Sequence, residues 1–297
     1  MSLSTHTQSY LFSSDPANGS LNLSADGHSF DVQLDQPIHV PRTAENCSIR
    51  VLQSSVWYTT PNISAEKKNN TLDIFSLWED PVSGAPPNSP NFQIVFDDGL
   101  YSLSALNAAL ARELQNLGLP ATLIVISGDD ATQRSILTFN NDGFQTYADF
   151  TQPDSIRTIL GFNARQSPPA PDQSTPGFSD QSDSIAEFNQ LNAYLISSDL
   201  TAAGVPVNNQ QTGVLCQIPI NSPPGTQLNF EPFNPVKVNA TGLIGLSRNQ
   251  INFRLLDQRG IAVNTNGEYY SLLLEITYDV PYGRHVGQQH DQRYQHP

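Results

Sequence analysis

The sequence predicts an all-β protein: an eight-stranded jelly-roll sandwich interrupted by a small β-α-β-β insertion. Three observations lead there. Short segments with period-two alternation recur along the chain, separated by Pro-, Gly- and Asn-rich turns. One stretch alone, from about Leu103 to Leu117, has helical spacing. Three strands precede the helical region and five follow it, and eight strands with long, turn-rich connections is the count of a jelly roll. Two small jelly rolls side by side would satisfy the same count, so that alternative stays open.

Taken in order, residues 1–29 are polar, rich in Ser and Gly and without a clear period, and read as an N-terminal arm. The sandwich is expected over 30–87 and 166–282. Phe30 to Leu34 alternates, and Pro37 and Pro41 bracket a turn. Cys47 to Thr60 has Ile49, Val51 and Trp57 on one face and Leu52, Val56 and Tyr58 on the other. Apolar residues on both faces predict a strand covered on both sides. Asn69 and Asn70 mark a turn before a third strand, Thr71 to Trp78.

The insertion is expected over 88–165. A proline-rich loop, Pro81 to Pro90, leads to a short strand from Phe92 to Phe96 and the turn Asp97-Asp98-Gly99. Ser102 caps the helix, Leu103, Leu106, Leu110, Leu114 and Leu117 form its stripe, and Gly118 and Pro120 end it. Leu123 to Ile126 and Ile136 to Phe139 read as strands joined through Gly128, Asp129 and Asp130, and an apolar patch from Ile156 to Phe162 closes the region. Residues 163–185 read as a long exposed loop. Five strands follow: Leu191 to Ile196, Val214 to Ile220, Gln227 to Phe230, Ile251 to Leu256, and Tyr269 to Tyr278, the last in strict alternation. Residues 283–297 form a polar C-terminal tail holding His285, His290 and His296.

Composition narrows the function. Charged residues are 14% of the 297, against roughly 25% in ordinary globular domains, and Asn, Gln, Ser, Thr and Pro fill the gap. A polar but uncharged surface suits a protein that buries much of it against neighbours, since each buried charge must be desolvated or paired. Fourteen Phe, ten Tyr and two Trp argue for a packed core rather than disorder. A net charge of −14, with Lys67, Lys68 and Lys237 as the only lysines, argues against direct nucleic-acid binding and against attraction to anionic lipid. No apolar run approaches the ~18 residues of a membrane span. The start, MSLSTHTQSY, has no charged segment followed by an apolar one, so synthesis in the cytoplasm is expected, with Cys47 and Cys216 as free thiols.

The sequence carries no catalytic signature, so no enzyme activity and no cofactor are expected. The histidines show no metal-ligand spacing, and no G-x-S-x-G elbow or phosphate loop is present. The acidic turns are the one candidate site: Asp97, Asp98, Asp129 and Asp130, with Asp142 nearby in sequence, could offer oxygen ligands to Ca²⁺. Asp beside Gly is also simply good turn chemistry, and that is the simpler expectation.

Several segments in register resemble a known group. Val51 to Ile63 followed by Asn69 and Asn70, the helix start from Asp98 to Asn107, and Leu160-Gly161-Phe162 resemble the jelly-roll capsid proteins of tailless double-stranded DNA viruses. The similarity is greatest to the penton (vertex) and minor capsid proteins of virophages and polinton-like viruses. Pro223 to Gly225, Phe233 to Pro235, Leu255 to Gln258 and Val263 to Glu268 look like the later part of that group. The resemblance implies a structural virion protein, made in the host cytoplasm, whose partners are itself and other capsid proteins. It implies a homo-oligomer, a pentamer before a trimer. The other readings are a receptor- or glycan-binding spike module and a trimeric double-jelly-roll major capsid protein.

Overall fold

The computed structural model describes residues 3–79, 90–201, 204–205 and 213–281. The chain opens with β1 (Leu3–Ser13), β2 (Ser20–Leu21), β3 (Ser29–His39) and β4 (Glu45–Trp57). A second group follows: β5 (Thr71–Ser76), β6 (Asn91–Val95), α1 (Leu103–Asn116), β7 (Ile124–Asp129), β8 (Arg134–Phe139), β9 (Thr146–Asp149), α2 (Arg157–Leu160), β10 (Gln166–Ser167) and β11 (Phe178–Gln181). The chain then returns with β12 (Ala193–Ser198), β13 (Val214–Pro219), β14 (Gln227–Phe230), β15 (Val238–Asn239), β16 (Ser247–Asp257) and β17 (Ser271–Pro281).

The first and last groups build one sandwich. One sheet runs β1-β17-β4-β14, with β15 also on β4, and the other runs β13-β12-β16-β3-β2. Setting aside the short β2 and β15, the eight long strands lie in the order first-eighth-third-sixth in one sheet and second-seventh-fourth-fifth in the other. Successive strands therefore cross between sheets everywhere except at the β12–β13 hairpin, which is jelly-roll topology. Phe30, Ile49, Tyr194, Phe253, Leu274 and Ile276 are among the side chains in its buried core.

The count of eight holds, but its membership differs from expectation. Residues 3–13 are a full strand, antiparallel to β17 from Leu3↔Pro281 to Ser13↔Ser271, and not an arm. The strand over 71–76 pairs with β6 and β9 and belongs to the insertion. β1 hid from the sequence because it is an edge strand whose outward positions are Thr5, Thr7 and Ser9, leaving Tyr10 and Phe12 as its main apolar signal. Edge strands with one solvated face carry weak patterns.

β4 also departs from expectation. Its pairing with β17 slips between Leu273↔Gln53 and Leu274↔Val51, so Leu52 is an extra residue on the β4 side. Such a bulge reverses the alternation. Cys47, Ile49 and Val51 before it and Val56 after it therefore all enter the same core, as does Tyr58 just beyond the strand. Of the residues read as two apolar faces, Ile49, Val51, Val56 and Tyr58 share one core face, whereas Leu52 and Trp57 lie outside it.

The insertion has its own core, with Leu106, Leu110, Leu137, Phe139 and Phe150 among its buried residues. It holds a four-stranded sheet, β10-β9-β5-β6, and a three-stranded one, β11-β8-β7. It is larger than the β-α-β-β unit expected over 88–165, because β5, β10 and β11 lie outside those bounds. Neighbouring strands in it pair as hairpins (β5–β6, β7–β8, β9–β10), so it is not a second jelly roll. The α1 helix forms as predicted: Ser102 Oγ accepts the Ala105 amide at 3.2 Å, and Leu106, Leu110 and Leu114 are buried. Asn107 Oδ1 accepts the Ile126 amide at 2.7 Å and ties the helix to β7. The segment expected as a loop over 163–185 contains β10 and β11. Arg165 anchors it, binding Asp180 at 2.6 Å and Asp183 at 3.1 Å.

The topology gives the sandwich two distinct ends. Ser13, Trp57, Gln227 and Ser271 mark one end, and the whole insertion leaves and returns there. Leu3 and Pro281 pair at the other end, so the first and last described residues lie together, opposite the insertion. No helix among the described residues is long and apolar enough to cross a membrane. The tail histidines His285, His290 and His296 lie outside the described residues.

Candidate assembly surface

The outer face of the β1-β17-β4 sheet follows from register. Because Phe12, Leu272 and Leu274 point inward, their sequence neighbours point out. Across the three strands the outward residues form rows: Thr7, Thr277 and Ser48; then Ser9, Glu275 and Arg50. Above these come Leu11, Leu273 and Gln53, and finally Ser13, Ser271 and Ser55. Thr5 and Asp279 begin the series, with Thr5 Oγ1 donating to Asp279 Oδ1 at 2.8 Å.

These rows hold hydroxyls, amides and two leucines, plus one central ion pair between Arg50 and Glu275 and, at the Leu3–Pro281 end, the carboxylates of Asp279 and its β4 partner Glu45. Leu11 is 73% exposed. Arg50 Nε and Ser55 Oγ are buried without a hydrogen-bond partner, which leaves polar capacity on the face unused. Most of this face can pack on another protein surface through hydroxyls, amides and leucines, with Arg50 and Glu275 already paired to each other.

Beside this face the chain makes a prominent apolar loop. β14 pairs with β4 up to Phe230↔Ser54, and β15 resumes the pairing at Val238↔Ile49. Residues 231–237 bulge from the sheet edge between them. Phe233 is 97% exposed, and Val236 is exposed as well.

The acidic turns lie apart from this surface and bond to amides and hydroxyls around them. Asp129 accepts the Ala131 amide at 3.0 Å, the Thr132 hydroxyl at 2.7 Å and the Gln181 amide at 3.1 Å. The Thr132 hydroxyl, then the Ala131 amide, hold its carboxyl below the usual range. Asp98 accepts the Ala65 amide at 2.9 Å, and the Asp97 carbonyl accepts the Tyr101 hydroxyl at 3.0 Å. Asp130 adjoins Asp129 in the β7–β8 turn, and Asp142 sits in a turn at φ 47°. Among the described residues no three or more His, Cys, Asp or Glu side chains gather as a metal site would need. His28 pairs with Asp26 at 2.6 Å, His39 meets Ser247 at 2.9 Å, and His6 stacks on Tyr278.

Both cysteines are free thiols, one in each sheet of the sandwich. Burial pushes the Cys47 thiol up to about 11 and the Cys216 thiol up to about 12. Thiols in that state are poor nucleophiles at neutral pH.

No family model matches the chain, and no curated protein matches it. Among solved structures, the crystal structure of the selenomethionine-labelled mavirus penton protein is similar in fold. The two share 12% identity with a TM-score of 0.46, over 94% of this chain and 100% of that one. The strand order described above stands without that likeness.

Composition alone singles out no particular surface of the chain. The missing signal was the register of β1, because the outward rows are visible only once residues 3–13 are known to pair with β17.

Proposed function

We propose that this chain is a structural capsid protein of an icosahedral virus, and within that class the vertex protein, working by self-assembly and contact with neighbouring capsomers. The observation that carries the reading is the outer face of the β1-β17-β4 sheet, where hydroxyls, amides and two leucines surround the mutually paired Arg50 and Glu275 and the remaining carboxylates, Asp279 and Glu45, lie at one end. The separation of the insertion from the first and last described residues agrees with it: strands standing across a shell would place the insertion outward and Leu3 and Pro281 inward. The sequence segments that resemble vertex proteins point the same way. A double-roll trimer fits less well, because the insertion builds hairpin-paired sheets instead of a second roll.

In this reading the partners are further copies of the chain and other capsid proteins, and the site of action is the virion. The sheet face meets the adjacent protomer, and ring closure repeats a heterologous contact around the axis. Leu11→Asp tests it. The change places an unpaired charge on an exposed apolar position of this face without touching the core, so the protomer should fold while rings disappear from electron micrographs of the purified protein. Rings that persist with Leu11→Asp would remove this face from the assembly.

A further inference from the structure

We propose that the cleft between the insertion and the sandwich is a binding site for an uncharged glycan. The cleft measures about 660 Å³, within the size range of small-ligand sites. Three pieces of the insertion region build it: the approach to α1 at 100–103, the β7–β8 turn at 128–135, and the connection at 186–190. Pro224 of the sandwich completes the wall. Its lining residues lie in the insertion region and the adjoining Pro224, whereas Leu3 and Pro281 lie at the opposite end of the sandwich.

Two groups in it lack partners. Arg134 is half-buried at the start of β8, and its guanidinium makes no ion pair or hydrogen bond to any described residue. Ser135, 1% exposed, lines the cleft with its Oγ buried and unbonded. Buried hydroxyls without partners are uncommon in folded proteins, but Ser135 alternates with Arg134 along β8 and turns toward the insertion core, so it is Arg134 that offers unpaired donors to a ligand. The donors and acceptors around them are mixed. Arg134 donates only, Glu187 and Asp130 accept only, and the amides of Gln133, Asn189 and Gln190 do both.

That mixture selects the ligand class. A phosphate or carboxylate ligand would meet Glu187, Asp129 and Asp130 at close range, so an anion is disfavoured. A purely apolar ligand would strand the polar groups. Sugar hydroxyls both donate and accept, and carboxylates and amides satisfy them in pairs. The Tyr101 and Phe188 rings in the wall offer apolar surface to the C–H face of a pyranose. The ligand chemistry rests on the cleft alone. Its display at a particle surface rests on the capsid reading, which oligomer measurements test separately.

The test uses the full chain against an immobilised panel of neutral and sialylated glycans, followed by saturation-transfer NMR with the neutral oligosaccharides that bind. Neutral glycans should bind. Arg134→Ala and Glu187→Gln should each weaken them roughly tenfold, the loss expected of one charge-assisted hydrogen bond, with oligomeric state unchanged. Glu113→Gln, in the last turn of α1 and outside the cleft, should bind as the parent does. The proposal is overturned by binding to no glycan, by binding only to sialylated ones, or by neutral-glycan binding that both cleft variants retain.

Discussion

Replacing Phe12 by Ala tests whether the first residues are part of the sandwich. Phe12 is 3% exposed and packs against Phe253 of the opposite sheet at 4.8 Å between ring centroids, and against Tyr10 at 6.0 Å. It therefore joins the two sheets at the end where the insertion begins. Truncating a buried Phe costs about 3–5 kcal/mol, out of a total stability of about 5–15 kcal/mol for a typical domain. Leu11, the adjacent residue, points outward, and Leu11→Ala should stay within about 0.5 kcal/mol when the chain is kept monomeric. Urea unfolding followed by Trp57 fluorescence, in a Trp78→Phe background, reads the sandwich alone, because Trp57 ends β4 whereas Trp78 packs on the insertion core. If Phe12→Ala is as mild as Leu11→Ala, residues 3–13 are not a core strand and the fold assigned here is wrong.

Other consequences are accessible to simple measurements. Gly161 has φ +80°, and a Cβ there would lie 2.3 Å from the Ser184 carbonyl oxygen, so Gly161→Ala should lower the melting temperature markedly, whereas Gly118→Ala, with open space around it, should cost only about 1 kcal/mol for its left-handed backbone. Cys47 should react with a thiol reagent at neutral pH only as fast as the chain unfolds, so its rapid labelling in the native protein would contradict its burial. Asp31 is held below the usual carboxylate range by hydrogen bonds from Asn22 at 3.0 Å and Asn252 at 2.8 Å. A depressed folded pKa gives stability that is complete above the unfolded value of about 4 and is lost as pH falls through the folded pKa, so Asp31→Asn should lower the neutral plateau of the stability profile and flatten its acid limb. Deleting 284–297 should move the melting temperature by no more than a few degrees, as surface tails contribute under about 0.5 kcal/mol, and a large loss would mean that the tail docks.

Much of the architecture was legible because burial on one face leaves a period. β17 alternates strictly from Tyr270 to Tyr278, and all five of those side chains are in the core. The α1 stripe and its Ser102 cap were equally plain. What misled was local chemistry that depends on a partner. β1 is polar along most of its outward face, and only its pairing with β17 makes it a strand. Thr71 to Ser76 alternates as well as any sandwich strand, and nothing in those residues tells which core they serve. The bulge at Leu52 mimicked a strand buried on both faces. The acidic turns drew notice as oxygen-rich segments, yet Asp129 and Asp98 bond to amides of their surroundings. The cleft was invisible in sequence, because Tyr101, Arg134 and Glu187 meet only through the tertiary fold.

The central claim is assembly through uncharged contacts, and light scattering coupled to size exclusion across a salt series tests it most directly. With a net charge of −14 per chain, copies repel one another at low ionic strength, and screening weakens that repulsion while leaving amide and hydroxyl contacts intact. The account predicts a closed ring of five whose population grows from low to moderate salt and persists beyond it. A trimer would point back to a hexon-like protein. A monomer at every salt and concentration, or a ring that dissociates as salt is added, would contradict it.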